Sequence, residues 1–235
     1  KEMAFHTAQT TKKVMVVGAG PGGLNVAWVA ARRGHDVHLF ERQPHLGGQL
    51  TLGSITHYKK ELLKLIRFQT KQMERFGVTC HLNQEVTPET LKNHSPDVVV
   101  LATGSAPVYP QIKGVNNALV ISIDEALDGH SRAEGKTVVV GGGPTGCEIA
   151  LHLSEKGYQV TIVEVLSNLG SQLESMTKKM LLRKLTENKV SFKTNCRVIR
   201  IEENGVVIAE KDGGQTALPA DQVVFSIGNR PEDDL

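Results

Sequence analysis

Aromatic residues are scarce in this chain. They make up 4% of its 235 residues, with a single tryptophan, and the formal net charge is only +2. A nucleic-acid surface needs a concentrated basic face interleaved with stacking aromatics, so both shortages argue against a nucleic-acid partner. The one basic cluster, Lys178, Lys179, Arg183 and Lys184, stands at helical spacing and reads as a solvated helix face. Cysteine is scarce as well. Cys80, Cys147 and Cys196 lie far apart and none forms a C-x-x-C, which excludes a thioredoxin-type dithiol and a cysteine cage for iron–sulfur or zinc. All three read as buried thiols. His35, His38, His45, His57, His81, His94, His130 and His152 show no ligand spacing, and no Ser-His-Asp arrangement can be placed, so no metal site is expected. Long hydrophobic runs are missing: none reaches a membrane span and the first residues carry no apolar signal segment. The expectation is a cytoplasmic protein with no membrane partner.

Glycine, by contrast, is abundant at 23 residues, in an otherwise ordinary α/β composition of 40% apolar and 22% charged residues. Its placement is the most informative feature of the chain. Gly18, Gly20 and Gly23 spell G-x-G-x-x-G in VVGAGPGG, and Gly141, Gly143 and Gly146 spell it again in VVGGGPTG, 123 positions later. The same offset carries Gly34 to Gly157, Glu41 to Glu164 and LGGQL (from Leu46) to LGSQL (from Leu169). LATGSAP, ending at Pro107, answers FSIGNRP, ending at Pro231, with Gly104 matched to Gly228 at an offset of 124. One such glycine motif is a weak signal; two in register, each with its own acidic residue, imply two dinucleotide sites.

The hydrophobic pattern fits that duplication. Apolar strands are expected at Lys13–Val17, Val37–Phe40, Val78–Leu82 and Val98–Ala102, the last continuous enough for burial on both faces of a parallel sheet. Helices are expected at Gly22–Arg33 and Tyr58–Phe76. The second copy repeats the order: strand Thr137–Val140, helix Thr145–Lys156, strand Val160–Val163, helix Lys178–Glu187, and strands Val190–Thr194 and Val223–Ser226. It also carries extra length around Val206–Ala209 and the turn Asp212-Gly213-Gly214, which predicts added strands. A short helix is expected near Ile123–Leu127. The fold class is α/β: two tandem Rossmann-like dinucleotide-binding domains with central parallel sheets, and a β-meander in the second. The boundaries are a linker over residues 1–12, a first domain over 13–107 and a second over 108–235. Trp28 reads as core packing.

A strand, a tight glycine turn and a helix N-terminus make a pyrophosphate site. The first glycine permits the turn, the second admits phosphate to the backbone, and the third lets helix pack on strand. The helix end adds unpaired N–H groups and partial positive charge. Gly18, Gly20, Pro21, Gly22 and Gly23 form this element once; Gly141, Gly143, Pro144, Thr145 and Gly146 form it again. Glu41 and Glu164, each 18 positions past the third glycine, are suited to accept hydrogen bonds from ribose hydroxyls. A 2′-phosphate would be repelled by Glu164 and would want a base, and Val165, Leu166, Ser167 and Asn168 supply none. NADH is therefore favoured over NADPH. Arg42, after Glu41, would cover the adenine.

VVGAGPGGL with its acidic strand end, GGQL, LATGSAP, VVGGGPTGCE and SIGNRP resemble the flavoprotein pyridine-nucleotide reductases with two dinucleotide-binding domains. GGQL and RFGVTCHLN (Arg75–Asn83) narrow the resemblance to the C-terminal half of the NADH:flavin oxidoreductases related to 2,4-dienoyl-CoA reductase, enoate reductase and trimethylamine dehydrogenase. It covers the chain from about Lys12 onward. The resemblance implies FAD at the first copy and NADH at the second. Gly18, Gly20, Gly23 and Glu41 would hold the ADP part of FAD, with Gly47, Gly48 and Gln49 toward the flavin and Thr103 and Gly104 closing the site. Gly141, Gly143, Gly146 and Glu164 would hold NADH, with Gly228 and Arg230 near its backbone or ribose. Glu148 would sit near the nicotinamide; read from the residues alone, it is equally a helix N-terminal carboxylate favoured by the dipole. The resemblance also implies partners within the same parent chain, an N-terminal FMN barrel and a 4Fe-4S region, and a further Gly-Asp segment after Pro231. The chain is thus expected to be a fragment with an incomplete FAD domain. The implied activity is hydride transfer from NADH to FAD, with electrons passed onward. Two alternatives stay open: a free-standing ferredoxin- or NADH-oxidase-type reductase, and a non-catalytic module holding ADP as a structural ligand.

Overall fold

The computed structural model describes residues 5–56, 59–128 and 135–232. His57, Tyr58, His130, the first four residues of the expected linker and the last three of the chain lie outside the described residues. The chain divides into two units, one of residues 1–106 with 231–235, the other of 107–230.

The first unit opens with β1 (Lys13–Val17), whose last four residues are buried. The glycine turn leads into α1 (Pro21–Arg32), with Pro21 at the first helical position, where its missing N–H costs no hydrogen bond. Leu24, Ala27 and Trp28, at i, i+3 and i+4, form the buried stripe of α1. β2 (Asp36–Glu41) follows, then the short α2 (Gln49–Gly53), the long α3 (Leu62–Phe76), β3 (Thr79–Leu82), α4 (Pro88–His94) and β4 (Val98–Leu101). All pairs in this sheet are parallel, in the order β3-β2-β1-β4. One face packs α1 and α3 through Leu24, Ala27, Trp28 and Met73. The other carries Met15, Val17 and Phe40 against Val86 and Leu91. Residues 5–12 form no helix or strand but lie along α1: Phe5 meets Trp28 at 5.7 Å between ring centroids, and the N–H of Ala8 donates to the Arg33 carbonyl at 2.8 Å.

β5 (Ser105–Pro107) pairs with β14 (Asn229–Pro231) where the chain leaves the first unit and returns to it. The second unit contains β6 (Val120–Ile121), α5 (Ile123–Asp128), β7 (Lys136–Val140), α6 (Pro144–Glu155), β8 (Gln159–Val163), α7 (Ser175–Glu187) and β9 (Ser191–Lys193). It continues with β10 (Cys196–Glu202), β11 (Gly205–Glu210), β12 (Gln215–Pro219) and β13 (Gln222–Phe225). Its parallel sheet runs β6-β13-β7-β8-β9, and β10-β11-β12 form the antiparallel meander expected from the extra length. Val198, Ile201, Val206 and Ile208 of the meander share one core with Val138, Val223 and Phe225.

Several sequence expectations are corrected. The long helix starts at Leu62 rather than Tyr58, and α2 and α4 were not anticipated. Pro88 and the reciprocal Thr87–Thr90 capping box explain α4, whose seven residues are too few to show a hydrophobic period. Val98–Ala102 is not buried on both faces. β4 is an edge strand, with Val99 39% and Leu101 45% exposed. Cys147 and Cys196 are buried, but Cys80 is exposed, because β3 is the opposite edge of the same sheet.

Candidate functional site

The two glycine turns superimpose in their internal chemistry. The Gly18 N–H donates to the Phe40 carbonyl at 2.8 Å, and the Gly141 N–H to the Val163 carbonyl at 2.8 Å, tying each turn to the neighbouring strand. Both glycines have positive φ, +99° and +108°, which L side chains rarely adopt. A Cβ on either would also strike the following strand's exit, 2.3 Å from the Ala102 carbonyl oxygen or 2.2 Å from that of Ser226. The third glycines are fixed by contact rather than by torsion. A Cβ on Gly23 or Gly146 would lie 1.9 Å from the carbonyl oxygen of Gly18 or Gly141. These are the close helix–strand approaches the motif exists to permit.

The middle glycines behave differently. Gly20 and Gly143 are the N-caps of α1 and α6, extended at φ −69°, and a Cβ on either meets nothing within 4 Å. The protein itself does not require glycine there. The space in front of each helix start is open to something that needs close backbone approach. Unpaired first-turn N–H groups and the positive helix end make an anion the fitting occupant.

Each acidic residue is buried and holds its own turn. Glu41 accepts from the N–H groups of Ala19 and Gln43, both at 2.8 Å; Glu164 accepts from those of Gly142 at 2.5 Å and Leu166 at 2.8 Å. A carboxylate has about four lone-pair sites, so each retains acceptor capacity for ribose hydroxyls. The LGGQL and LGSQL segments hang on the turns by matching bonds, Gly47 N–H to the Ala19 carbonyl at 2.8 Å and Gly170 N–H to the Gly142 carbonyl at 2.7 Å. Gly48 sits so close that its Cβ would lie 3.0 Å from the Gly20 Cα. Gln49 donates to the Ser105 carbonyl at 2.8 Å.

The structure thus gathers Gly18, Gly20, Gly23, Glu41, Gly47, Gly48, Gln49, Thr103 and Gly104 at the carboxyl end of the first sheet, where the strand order reverses between β1 and β4. Pro21 is half-buried and Gly22 exposed in the first turn of α1; Pro144 and Thr145 repeat this in α6. Gly228, at φ +117°, follows the strand exit that closes on Gly141, and Arg230 is exposed in β14. Glu148 is half-buried early in α6. Trp28 is core, as expected, packed edge-on to Phe68 and stacked on Phe76.

Three features escaped sequence reasoning. Glu232 pairs with Arg42, at 3.0 and 3.1 Å to its two carboxylate oxygens, although the two are 190 positions apart. That hydrogen bonding, opposed by partial burial, raises Arg42 above its ordinary value. Gln69, buried on α3, donates to the Pro21 carbonyl at 3.0 Å and so steadies the first turn of α1. His38, His81 and His94 cluster around Phe40, with His38 Nδ1 and His81 Nε2 3.1 Å apart. No group of residues that could hold a metal ion occurs among the described residues. Burial pushes the Cys147 thiol up to about 11, leaving it protonated and unreactive at neutral pH.

Two copies of a phosphate-ready turn, each with a ribose-ready carboxylate, define a protein with two dinucleotide-binding units. The pyridine nucleotide-disulphide oxidoreductase family model matches residues 12–235, and the chain belongs to that family, with FAD and NAD(H) as its cofactors. It is 39% identical to an NADH oxidase of Thermoanaerobacter brockii over 95% of this chain and 35% of that one. It is 33% identical to a cinnamate reductase of Clostridium sporogenes, over 100% of this chain and 35% of the relative. Among solved structures, a 2-naphthoyl-CoA reductase complex matches with a TM-score of 0.93 and 32% identity, over 99% of this chain and 35% of that one. The chain therefore spans about a third of the length of these relatives. No helix of the described residues is long and apolar enough to cross a membrane.

Proposed function

We propose that this chain is the NADH:flavin oxidoreductase module of a larger polypeptide, with FAD on the first unit and NADH on the second. When bound, the two cofactors supply hydride transfer from nicotinamide to flavin; the protein contributes binding, orientation and electrostatics. Gly20 and Gly143 admit a pyrophosphate to the N-termini of α1 and α6. Glu41 and Glu164 fix the turns and accept from the adenosine ribose. Gly47, Gly48, Gln49, Thr103 and Gly104 line the way to the flavin, and Gly228 and Arg230 the second nucleotide. Glu148 orients the nicotinamide. No acid–base triad is needed, since the step depends on positioning.

The observation that carries this reading is the open space at both Gly20 and Gly143, where the protein's own packing does not call for glycine. Glu164, with no base among Val165 to Asn168, favours NADH over NADPH. Because NADH is an intracellular reductant, the reading carries a cytoplasmic location. Relatives are named for substrates as different as cinnamate, bilirubin and 2-naphthoyl-CoA. The shared module therefore does not choose the acceptor, and electrons pass from it to another redox centre of the parent chain, such as an FMN barrel or a 4Fe-4S cluster.

The test is the visible spectrum of the full polypeptide, recorded without oxygen before and after adding NADH. Flavin bands that bleach with NADH, and not in a Gly143→Val variant, are expected. Bands that persist with NADH would overturn the assignment, and ADP recovered from the first site in place of FAD would make that unit a structural nucleotide holder.

A further inference from the structure

Glu232 is the second residue after the chain re-enters the first unit, and it ties together the two sides of that unit's carboxyl edge. Its N–H donates to the Gly104 carbonyl at 3.1 Å, and its carbonyl accepts from the Thr103 hydroxyl, so its backbone is fastened to the exit of β4. Its carboxylate takes both terminal nitrogens of Arg42, which follows the last residue of β2. In this sheet β1 lies between β2 and β4. The Glu232–Arg42 pair therefore joins the exits of the two strands that flank β1, whose own exit leads into the turn at Gly18. An exposed ion pair is worth little by itself, because two long side chains must be ordered to make it. Here one partner's backbone is already fixed by two hydrogen bonds, and the pair is bidentate, the geometry that carries the most energy and direction.

We propose that Glu232 and Arg42 form a strap across the mouth of the first nucleotide site, which opens to admit FAD and must open again to release it. The inference rests on the assignment of FAD to the first unit. A strap of this kind controls the rate of exchange rather than the final affinity. Breaking it lowers the barrier in both directions, whereas removing a residue that only contacts the bound cofactor speeds departure alone. A cofactor kept through many turnovers benefits from slow exchange even at unchanged Kd.

The experiment uses the full polypeptide freed of flavin and follows quenching of flavin fluorescence on mixing with FAD, and its recovery on displacement by excess ADP. Glu232→Gln is expected to raise association and dissociation together by about three- to fivefold, with Kd changed less than about twofold. Arg42→Met removes the same pair together with the cover expected over the adenine, so it should accelerate dissociation at least as much, and the double variant should be no faster than the faster single one. Added salt should speed exchange in the unaltered protein and leave Glu232→Gln unchanged. A rise in dissociation alone, with Kd weakened in proportion, would overturn the strap and make Glu232 part of the binding surface. Unaltered rates in both single variants would overturn it in favour of an ordinary surface pair. Failure of the unaltered protein to bind FAD at all would remove the cofactor assignment itself, and the strap with it.

Discussion

β4 of the first unit and β13 of the second hold the same place. Each pairs in parallel with the strand that enters the glycine turn, and each ends where its carbonyl closes on the turn's first glycine. VVVL is wholly apolar and QVVF is apolar after its first residue. Yet Val99 and Leu101 are 39% and 45% exposed, while their counterparts Val223 and Phe225 are 0% and 2% exposed. The difference lies outside the strands. β13 has β6 on its outer edge and the β10–β12 meander over one face, and β4 has neither among the described residues. Hydrophobic sequence makes a strand suitable for burial, but what packs against it decides whether burial happens.

The sharpest way to test that contrast is to truncate the matched side chains. Phe225→Ala should cost the second unit about 3–5 kcal/mol. Leu101→Ala should cost the first unit less than about 1 kcal/mol, because little of its surface leaves water on folding. Denaturant unfolding followed by hydrogen exchange, resolved by unit, reads both. Equal losses would mean that β4 is covered in solution.

A second contrast runs within each turn and should be smaller. Gly23→Ala and Gly146→Ala drive a methyl to 1.9 Å from a backbone carbonyl that belongs to the turn itself. Each should cost about 1–3 kcal/mol in its own unit. Gly20→Ala and Gly143→Ala, where a Cβ meets nothing, should leave stability within about 0.5 kcal/mol and weaken only the nucleotide of that unit. Thermal unfolding with and without FAD or NADH separates the two classes. A destabilising Gly20→Ala would refute the view that this glycine serves the ligand.

The third contrast is pH. Burial, then His38 and His94, lower His81 below its ordinary 6.5. Asp36, 3.5 Å from His38 Nε2, is the one acidic side chain recorded on the cluster among the described residues, and the Lys13 ammonium donates to the His94 carbonyl at 2.7 Å. A group whose folded value is depressed binds its proton more readily when unfolded. Its contribution is therefore complete above 6.5 and is lost as pH falls below that value. Positions 161 and 193, which answer His38 and His81 in the second unit, are Thr161 and Lys193, so acidification should weaken the first unit preferentially. His81→Phe should flatten the profile, and hydrogen exchange of the two units across that range is the measurement. A parallel decline of both units would assign the effect elsewhere.

Much of this was legible in the chain, for reasons that are local. A turn that demands positive φ at Gly18 and Gly141, and a helix that starts at the residue after Gly20 or Gly143, leave their mark in a few adjacent letters. So does the offset from Gly23 to Glu41, because a helix and a strand of fixed rise connect them. The meander announced itself by its Asp212–Gly214 turn and extra length. What was not legible depends on distant parts of the chain. Glu232 meets Arg42 across 190 positions, His94 reaches His38 and His81 only because α4 folds over β2 and β3, and Cys80 is exposed only because β3 is an edge. None of these carries a periodicity or a spacing.

The sequence by itself determined that the chain folds as two glycine-turn units, where each turn lies, and which carboxylate serves it, since backbone sterics and chain geometry act over short stretches and repeat wherever the letters repeat. Only the tertiary structure decided which apolar strand is covered, which glycine faces open space rather than a carbonyl, and that Arg42 meets Glu232. Burial, close approach and ion pairing are set by what the rest of the chain brings alongside a residue.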